Sequence, residues 1–247
     1  GQPYYTMKYV RGQQFKELIR NYHRQRRPGH ADALELRRLL TLFMATCQAV
    51  SYAHSRGVVH RDLKPENIAV GEFGELMVLD WGLAKVLSDS AEEAEETAAE
   101  RITVGDDIDL GQTLKGRIMG TPGYMAPEQA AGDSSAIGAR TDIYALGAIL
   151  FEILTGEAPH ALLHSYDPQQ IRRWDQRATQ AGPGSVVESV AALTTLHDSQ
   201  EREGTLNLLS RIREGRIPAA GDIDPTVPKA LQAICQRAMS VEAEERY

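Results

Sequence analysis

The residues most able to do chemistry lie between positions 60 and 80. Asp62 and Lys64 put a carboxylate and an ammonium on one short loop, and Asn67 follows just before the apolar run Ile68 to Val70. A second run, Leu76 to Leu79, ends at Asp80, and Gly71-Glu72-Phe73-Gly74-Glu75 between the runs has the pattern of a tight hairpin turn. If Ile68 to Val70 pairs antiparallel with Met77 to Leu79, Asn67 and Asp80 face each other at the open end. Strands lie about 4.8 Å apart and Mg²⁺ takes oxygen ligands at about 2.0 to 2.1 Å, so an amide oxygen and a carboxylate so placed can share one cation. An acid to receive a hydroxyl proton, a cation to balance migrating charge and a metal-binding pair suit phosphoryl transfer. Taken singly, the same residues also suit a capped loop with ordinary surface charges.

The elements that must hold these groups are mostly helical. Leu36, Leu39, Leu40, Phe43, Cys47, Val50 and Ala53 recur three or four apart, which predicts a long core-facing helix from Leu34 to Ser55. Gly57 stops it, and Val58-Val59 begin an extended stretch into His60. A strongly apolar helix is expected from Thr141 to Leu154, with closing helices around Leu206 to Glu214 and Lys229 to Met239. The 247 residues are enough to bury a sizeable core, and no apolar run approaches the roughly 20 residues needed to cross a bilayer. No secretory signal is visible at Gly1 to Arg20. Cys47 and Cys235 read as buried thiols of a reducing compartment, so the expected location is cytoplasmic. The net charge of −7 argues against non-specific nucleic-acid binding, and no nucleic-acid partner is expected; the charge is concentrated at 88–109, where nine acids face one base, Arg101. That stretch reads as a solvated acidic loop.

The string His60-Arg61-Asp62-Leu63-Lys64-Pro65-Glu66-Asn67 resembles the catalytic loop of protein kinases at each fixed position of its signature. The resemblance continues through Asp80-Trp81-Gly82, through Gly120 to Glu128, which ends in Ala126-Pro127-Glu128, through Thr141 to Gly147, and at Arg246. The chain resembles bacterial serine/threonine protein kinases, with Lys64 two places after Asp62 and Thr121 downstream favouring Ser or Thr acceptors over Tyr. What the resemblance implies is an α+β protein-kinase-like fold, a mainly helical large lobe with a short β-hairpin at the active site.

Roles then follow from the resemblance alone. Asp62 would accept or orient the proton of the attacking hydroxyl, Lys64 would offset charge on the phosphoryl group, and Asn67 with Asp80 would hold Mg²⁺ on the ATP phosphates. Thr121 would bond toward Asp62 and Lys64 and help seat the substrate, and Asp142 would brace the catalytic loop from the apolar helix beneath it. Glu128 and Arg246 resemble a buried ion pair anchoring the activation segment. Met7, Lys8 and Val10 resemble the hinge that binds adenine, with Ala69 in the floor of that pocket. Trp81 would fill the apolar slot below Asp80. Arg61 would dock a phosphate on the activation loop, with Thr113 the first candidate acceptor and Thr103 behind it. Glu66 and Glu152 would face a basic residue preceding the phosphoacceptor.

Departures from the pattern are equally plain. No Gly-x-Gly-x-x-Gly occurs, nor the strand lysine and helix glutamate of the small lobe, so the expectation is a partial kinase domain, hinge and large lobe, with the small β lobe absent and little activity alone. The activation segment, 80–128, carries the acidic insertion. A second insertion, 160–204, separates two helices of the large lobe. His160 and His164 are four apart but lack a third ligand, which argues against zinc. Expected partners are Ser/Thr-bearing protein substrates, with self-association for autophosphorylation; the alternative class is a pseudokinase or regulatory lobe without catalysis.

Overall fold

A computed structural model describes residues 12–26, 32–81, 84–86, 122–161 and 208–247. Its first elements are a two-residue strand β1 (Gln13–Gln14) and helix α1 (Phe15–Gln25). The sequence reading assigned no element here. The signal was present, since Phe15, Leu18, Ile19 and Tyr22 repeat at helical spacing and all four are buried.

Helix α2 (Ala33–Ser55) begins where expected because Asp32 caps it, its Oδ1 accepting from the Leu34 and Glu35 amides at 3.1 Å. Gly57, at φ +71°, ends the helix and turns the chain into β2 (Val58–Val59). After a turn of 3₁₀ helix at Pro65–Asn67 come β3 (Ile68–Val70) and β4 (Leu76–Val78). They form the expected hairpin, closed by Gly71 N–H to the Glu75 carbonyl at 2.8 Å.

The register differs by one residue from the expected one. Ile68 pairs with Val78, not Leu79, and the Leu79 amide bonds the Asn67 carbonyl at 2.7 Å. Asn67 therefore faces Leu79, and Asp80 lies one step beyond it. The physical reason is visible at Asp80, whose φ of +59° breaks the extended backbone and turns the chain out of the ribbon. β1 adds a third antiparallel strand on the far side of β3, giving the order β1-β3-β4. A separate ribbon joins β2 to β5 (Lys85–Val86), with Val58 opposite Val86 and Val59 opposite Lys85.

Helix α3 (Ala139–Thr155) is the core of the molecule. Tyr144, Ile149, Phe151 and Ile153 are fully buried, with α1 and α2 contributing Phe15, Ile19 and Leu39 to the same cluster. At its C-terminus Gly156 takes φ +91°, and a Cβ there would meet the His23 ring of α1. Helix α4 (Lys229–Ala238) crosses α3 closely at Gly147, where the Cys235 thiol donates to the Gly147 carbonyl at 3.3 Å. Residues 208–213 are helical, consistent with the closing helix expected there. Cys235 is buried as expected, whereas Cys47, beside the fully buried Thr46 on α2, is only half-buried. No described helix is long and apolar enough to cross a membrane. The acidic stretch 88–109 and all but the first two residues of the second insertion lie outside the described residues.

Candidate active site

The loop after β2 is held from below by one buried carboxylate. Asp142, in the first turn of α3 and 1% exposed, accepts from the His60 and Arg61 amides at 2.8 Å each and contacts His54 Nε2 at 2.7 Å. The grip is needed because Arg61 has φ +70°, a backbone state costing on the order of 1 to 3 kcal/mol unless its surroundings impose it. Gln129 holds the other side, its side-chain amide donating to the Arg61 carbonyl at 2.7 Å while its Oε1 accepts from the Ala126 amide at 3.1 Å. Sequence reading did not single out His54 or Gln129.

His60 is completely buried and links the loop to the hairpin. Its Nε2 lies 2.9 Å from the Leu79 carbonyl, and the Asp62 amide approaches Nδ1 at 3.3 Å. A carbonyl only accepts and an amide only donates, which assigns the proton to Nε2 of a neutral ring. Trp81 departs from expectation: it is 36% exposed, not buried in a slot below Asp80. Its Nε1 donates to the Val78 carbonyl at 3.0 Å, and its ring lies 4.7 Å from that of His60. The turn at Asp80 that shifts the hairpin register carries the indole over the histidine.

Asp62, Lys64 and Asn67 come together as the spacing suggested. Lys64 Nζ donates to Asp62 Oδ2 at 2.8 Å, and Asn67 Nδ2 donates to the Asp62 carbonyl at 3.0 Å. With its NH₂ so engaged, Asn67 is left with its oxygen as the end suited to a hard cation. Asp80 is exposed, at the end of the neighbouring strand. One amide oxygen and one carboxylate therefore remain for Mg²⁺, a donor set of the right hardness for an ion that keeps most of its shell for water and phosphate. Ala69 is buried in β3, opposite Met77 and Gln14.

The segment after the site is tied down by a second buried charge. Arg246, 3% exposed, donates from both terminal nitrogens to Glu128, at 2.8 and 2.9 Å, and to the carbonyls of Arg140 and Val241, while its Nε donates to the Ser240 carbonyl. Thr141 adds a hydroxyl bond to Glu128 at 2.8 Å. Burial pushes the Glu128 carboxyl up, but the Arg246 bonds outweigh it and leave the group below its ordinary value. The expected pair is therefore made, with its carboxylate charged.

Glu152 does not face outward, contrary to the expectation that it would meet a substrate. It is 1% exposed, with Oε1 at 2.5 Å from Lys16 Nζ and Oε2 accepting the Tyr124 hydroxyl at 2.5 Å. Its place in the stretch 147–154 of α3, every residue of which is buried, explains this. Burial raises its carboxyl above the ordinary value, against the pull of the Lys16 ammonium. His160 is also buried, which pushes its imidazole down to about 4, and its Nε2 lies 3.1 Å from the Tyr144 hydroxyl. Met7, Lys8, Val10, Thr103, Thr113, Thr121 and His164 lie outside the described residues.

Comparison with known proteins agrees with this arrangement. The model of the protein kinase domain family matches residues 2–242. The serine/threonine-protein kinase PknD of Protochlamydia amoebophila (strain UWE25) is 42% identical over 199 residues, covering 77% of this chain and 20% of that protein. The proteins of the same name from Chlamydia felis and Chlamydia caviae are 41% and 40% identical over 160 and 159 residues, covering 64% of this chain and 16% and 17% of theirs. The chain thus spans about a fifth or less of the length of these relatives. With a family match over nearly its whole length and the family's signature loop folded around Asp62, the chain belongs to the protein kinase domain family.

Proposed function

We propose that the chain supplies the acceptor- and metal-binding part of an ATP-dependent protein kinase that phosphorylates Ser and Thr hydroxyls of protein substrates. The observation that carries this reading is the contact of Lys64 with Asp62 at 2.8 Å on a loop whose backbone also orients Asn67. In the reaction, the acceptor oxygen bonds to the γ-phosphorus, the bond to the β–γ bridging oxygen breaks, and ADP leaves. Asp62 orients the acceptor hydroxyl and receives its proton. Lys64, within reach of the same carboxylate, balances the charge on the transferred group. Asn67 and Asp80 would hold Mg²⁺, which when bound draws charge from the ATP phosphates.

The remaining assignments rest on the family resemblance. Met7, Lys8, Val10 and Ala69 would contact adenine, Thr121 would seat the substrate beside Asp62, and Arg61 would receive a phosphate on Thr113. We read residues 1–247 as hinge and large lobe, because the sequence holds no Gly-x-Gly-x-x-Gly to cradle phosphates; alone, it should transfer little phosphate. Self-association would allow autophosphorylation between copies. The test is transfer of labelled γ-phosphate by the full-length protein with Mg²⁺, followed by phosphoamino-acid analysis. Label on phosphoserine or phosphothreonine is expected; label confined to phosphotyrosine, or none, would refute the assignment.

A further inference from the structure

The peptide joining Arg61 to Asp62 is gripped by a side chain 68 residues further along the chain. Gln129 lies in the short helix Pro127–Ala130, is 3% exposed, and follows directly on Glu128, which Arg246 anchors. Its amide can stand only one way round. Oε1 takes the Ala126 N–H at 3.1 Å, so Nε2 is the end that donates to the Arg61 carbonyl at 2.7 Å. The N–H of that same peptide belongs to Asp62 and lies 3.3 Å from Nδ1 of the buried His60. One peptide plane is thus held at both polar ends, its C=O by Gln129 and its N–H by His60. Asp142 holds the two amides before it. The hold on the carbonyl matters because Arg61, at φ +70°, is in a backbone state that its surroundings must impose. A tilt of this peptide changes φ of Asp62, and with it the direction of the carboxylate.

Resting on the kinase reading above, we propose that Gln129 is a positioning residue for phosphoryl transfer. It carries the seating of the Pro127–Ala130 helix to the Arg61–Asp62 peptide, and so sets where the Asp62 carboxylate stands against the acceptor hydroxyl. The role needs a donor and an acceptor on one uncharged side chain, which an amide supplies and neither a carboxylate nor a thioether does. Because Gln129 acts through the backbone of Asp62, its loss should appear in the chemical step. Nucleotide binding should be spared, since Asn67 is tied to the hairpin by its own carbonyl, which accepts from the Leu79 amide at 2.7 Å.

The test compares the full-length protein with Gln129→Met, which keeps neither bond, and Gln129→Glu, which keeps the acceptor and loses the donor. Near neutral pH both should lower kcat for peptide phosphorylation by about ten- to a hundredfold, while KM for ATP changes by less than about twofold. Acid should rescue only one of them. A protonated carboxyl has an O–H to give and an oxygen to accept, as the amide has. Burial and the Asp62 and Asp142 carboxylates lining the same recess raise the introduced carboxyl, against the pull of Arg61. Relative to wild type, kcat of Gln129→Glu should therefore climb as pH falls from about 8 to about 5.5, whereas that of Gln129→Met should stay level. A level ratio for Gln129→Glu, a kcat near wild type in Gln129→Met, or a KM for ATP that rises as far as kcat falls would each overturn the proposal. So would loss of folding in both variants; if only Gln129→Met fails to fold, the pH course of Gln129→Glu decides. If the wild type transfers no phosphate, the kinase reading fails separately, and hydrogen exchange at single-residue resolution tests the geometry. The Asp62 amide should then exchange about tenfold faster in Gln129→Met than in wild type, with the His60 and Arg61 amides, bonded to Asp142, unchanged. Equal rates at Asp62 would overturn the positioning role as well.

Discussion

Replacing Asp62 by Asn in the full-length protein should lower kcat for peptide phosphorylation by about two to four orders of magnitude, the usual contribution of a positioned proton acceptor. The substitution keeps the shape of the side chain and removes its charge and proton affinity. It should leave the loop intact, because the bonds that shape the loop are made by the backbone at this position. The Asp62 carbonyl receives Asn67, and the Asp62 amide meets His60. KM for ATP should therefore change little while the chemical step fails. Steady-state kinetics on both proteins checks this. Equal kcat values would remove Asp62 from proton handling.

The largest stability effect should come from Arg246. Its guanidinium is buried and bonded to both Glu128 oxygens and to three backbone carbonyls. Arg246→Met removes all of these and strands the Glu128 carboxylate, a loss of about 3 to 5 kcal/mol. At about 2 to 4 °C per kcal/mol for a chain of this size, Tm should fall by about 10 °C. The pH dependence has a definite sign. The Glu128 carboxyl lies below its ordinary value when folded, so the pair stabilises the fold above the unfolded carboxyl's pKa and that stability is lost as pH falls through the lower, folded value. The gap between wild type and Arg246→Met should accordingly be full near neutrality and shrink in acid. Adding Glu128→Gln should recover part of the loss by removing the stranded charge. Thermal melts across pH measure all three; a gap that persists undiminished in acid would contradict the charged-pair account.

The long helices were legible because their apolar residues repeat at helical spacing and their ends carry chemical stops, Asp32 before α2 and Gly57 after it. The hairpin was legible, its register less so, since a slip of one residue depends on the turn at Asp80 and not on residue type. Asp62, Lys64 and Asn67 could be paired from spacing because eight consecutive residues carry them. Glu128 and Arg246, 118 residues apart, were joined only through the family resemblance. Nothing in the sequence brings Lys16 to Glu152, and α1 itself went unassigned although Phe15, Leu18, Ile19 and Tyr22 marked its buried face. Such contacts come from the packing of α1 on α3, which local pattern does not encode. The outward aim expected for Glu152 failed for the same reason: a carboxylate in the wholly buried stretch 147–154 of α3 must find its partners inside.

The most direct test is a crystal structure of the full-length protein with Mg²⁺ and a non-hydrolysable ATP analogue. A cation about 2.0 to 2.1 Å from an oxygen of Asn67 and an oxygen of Asp80, with the γ-phosphate turned toward Asp62, is the predicted result. Phosphates and cation bound elsewhere, leaving Asn67 and Asp80 without a metal, would contradict the account.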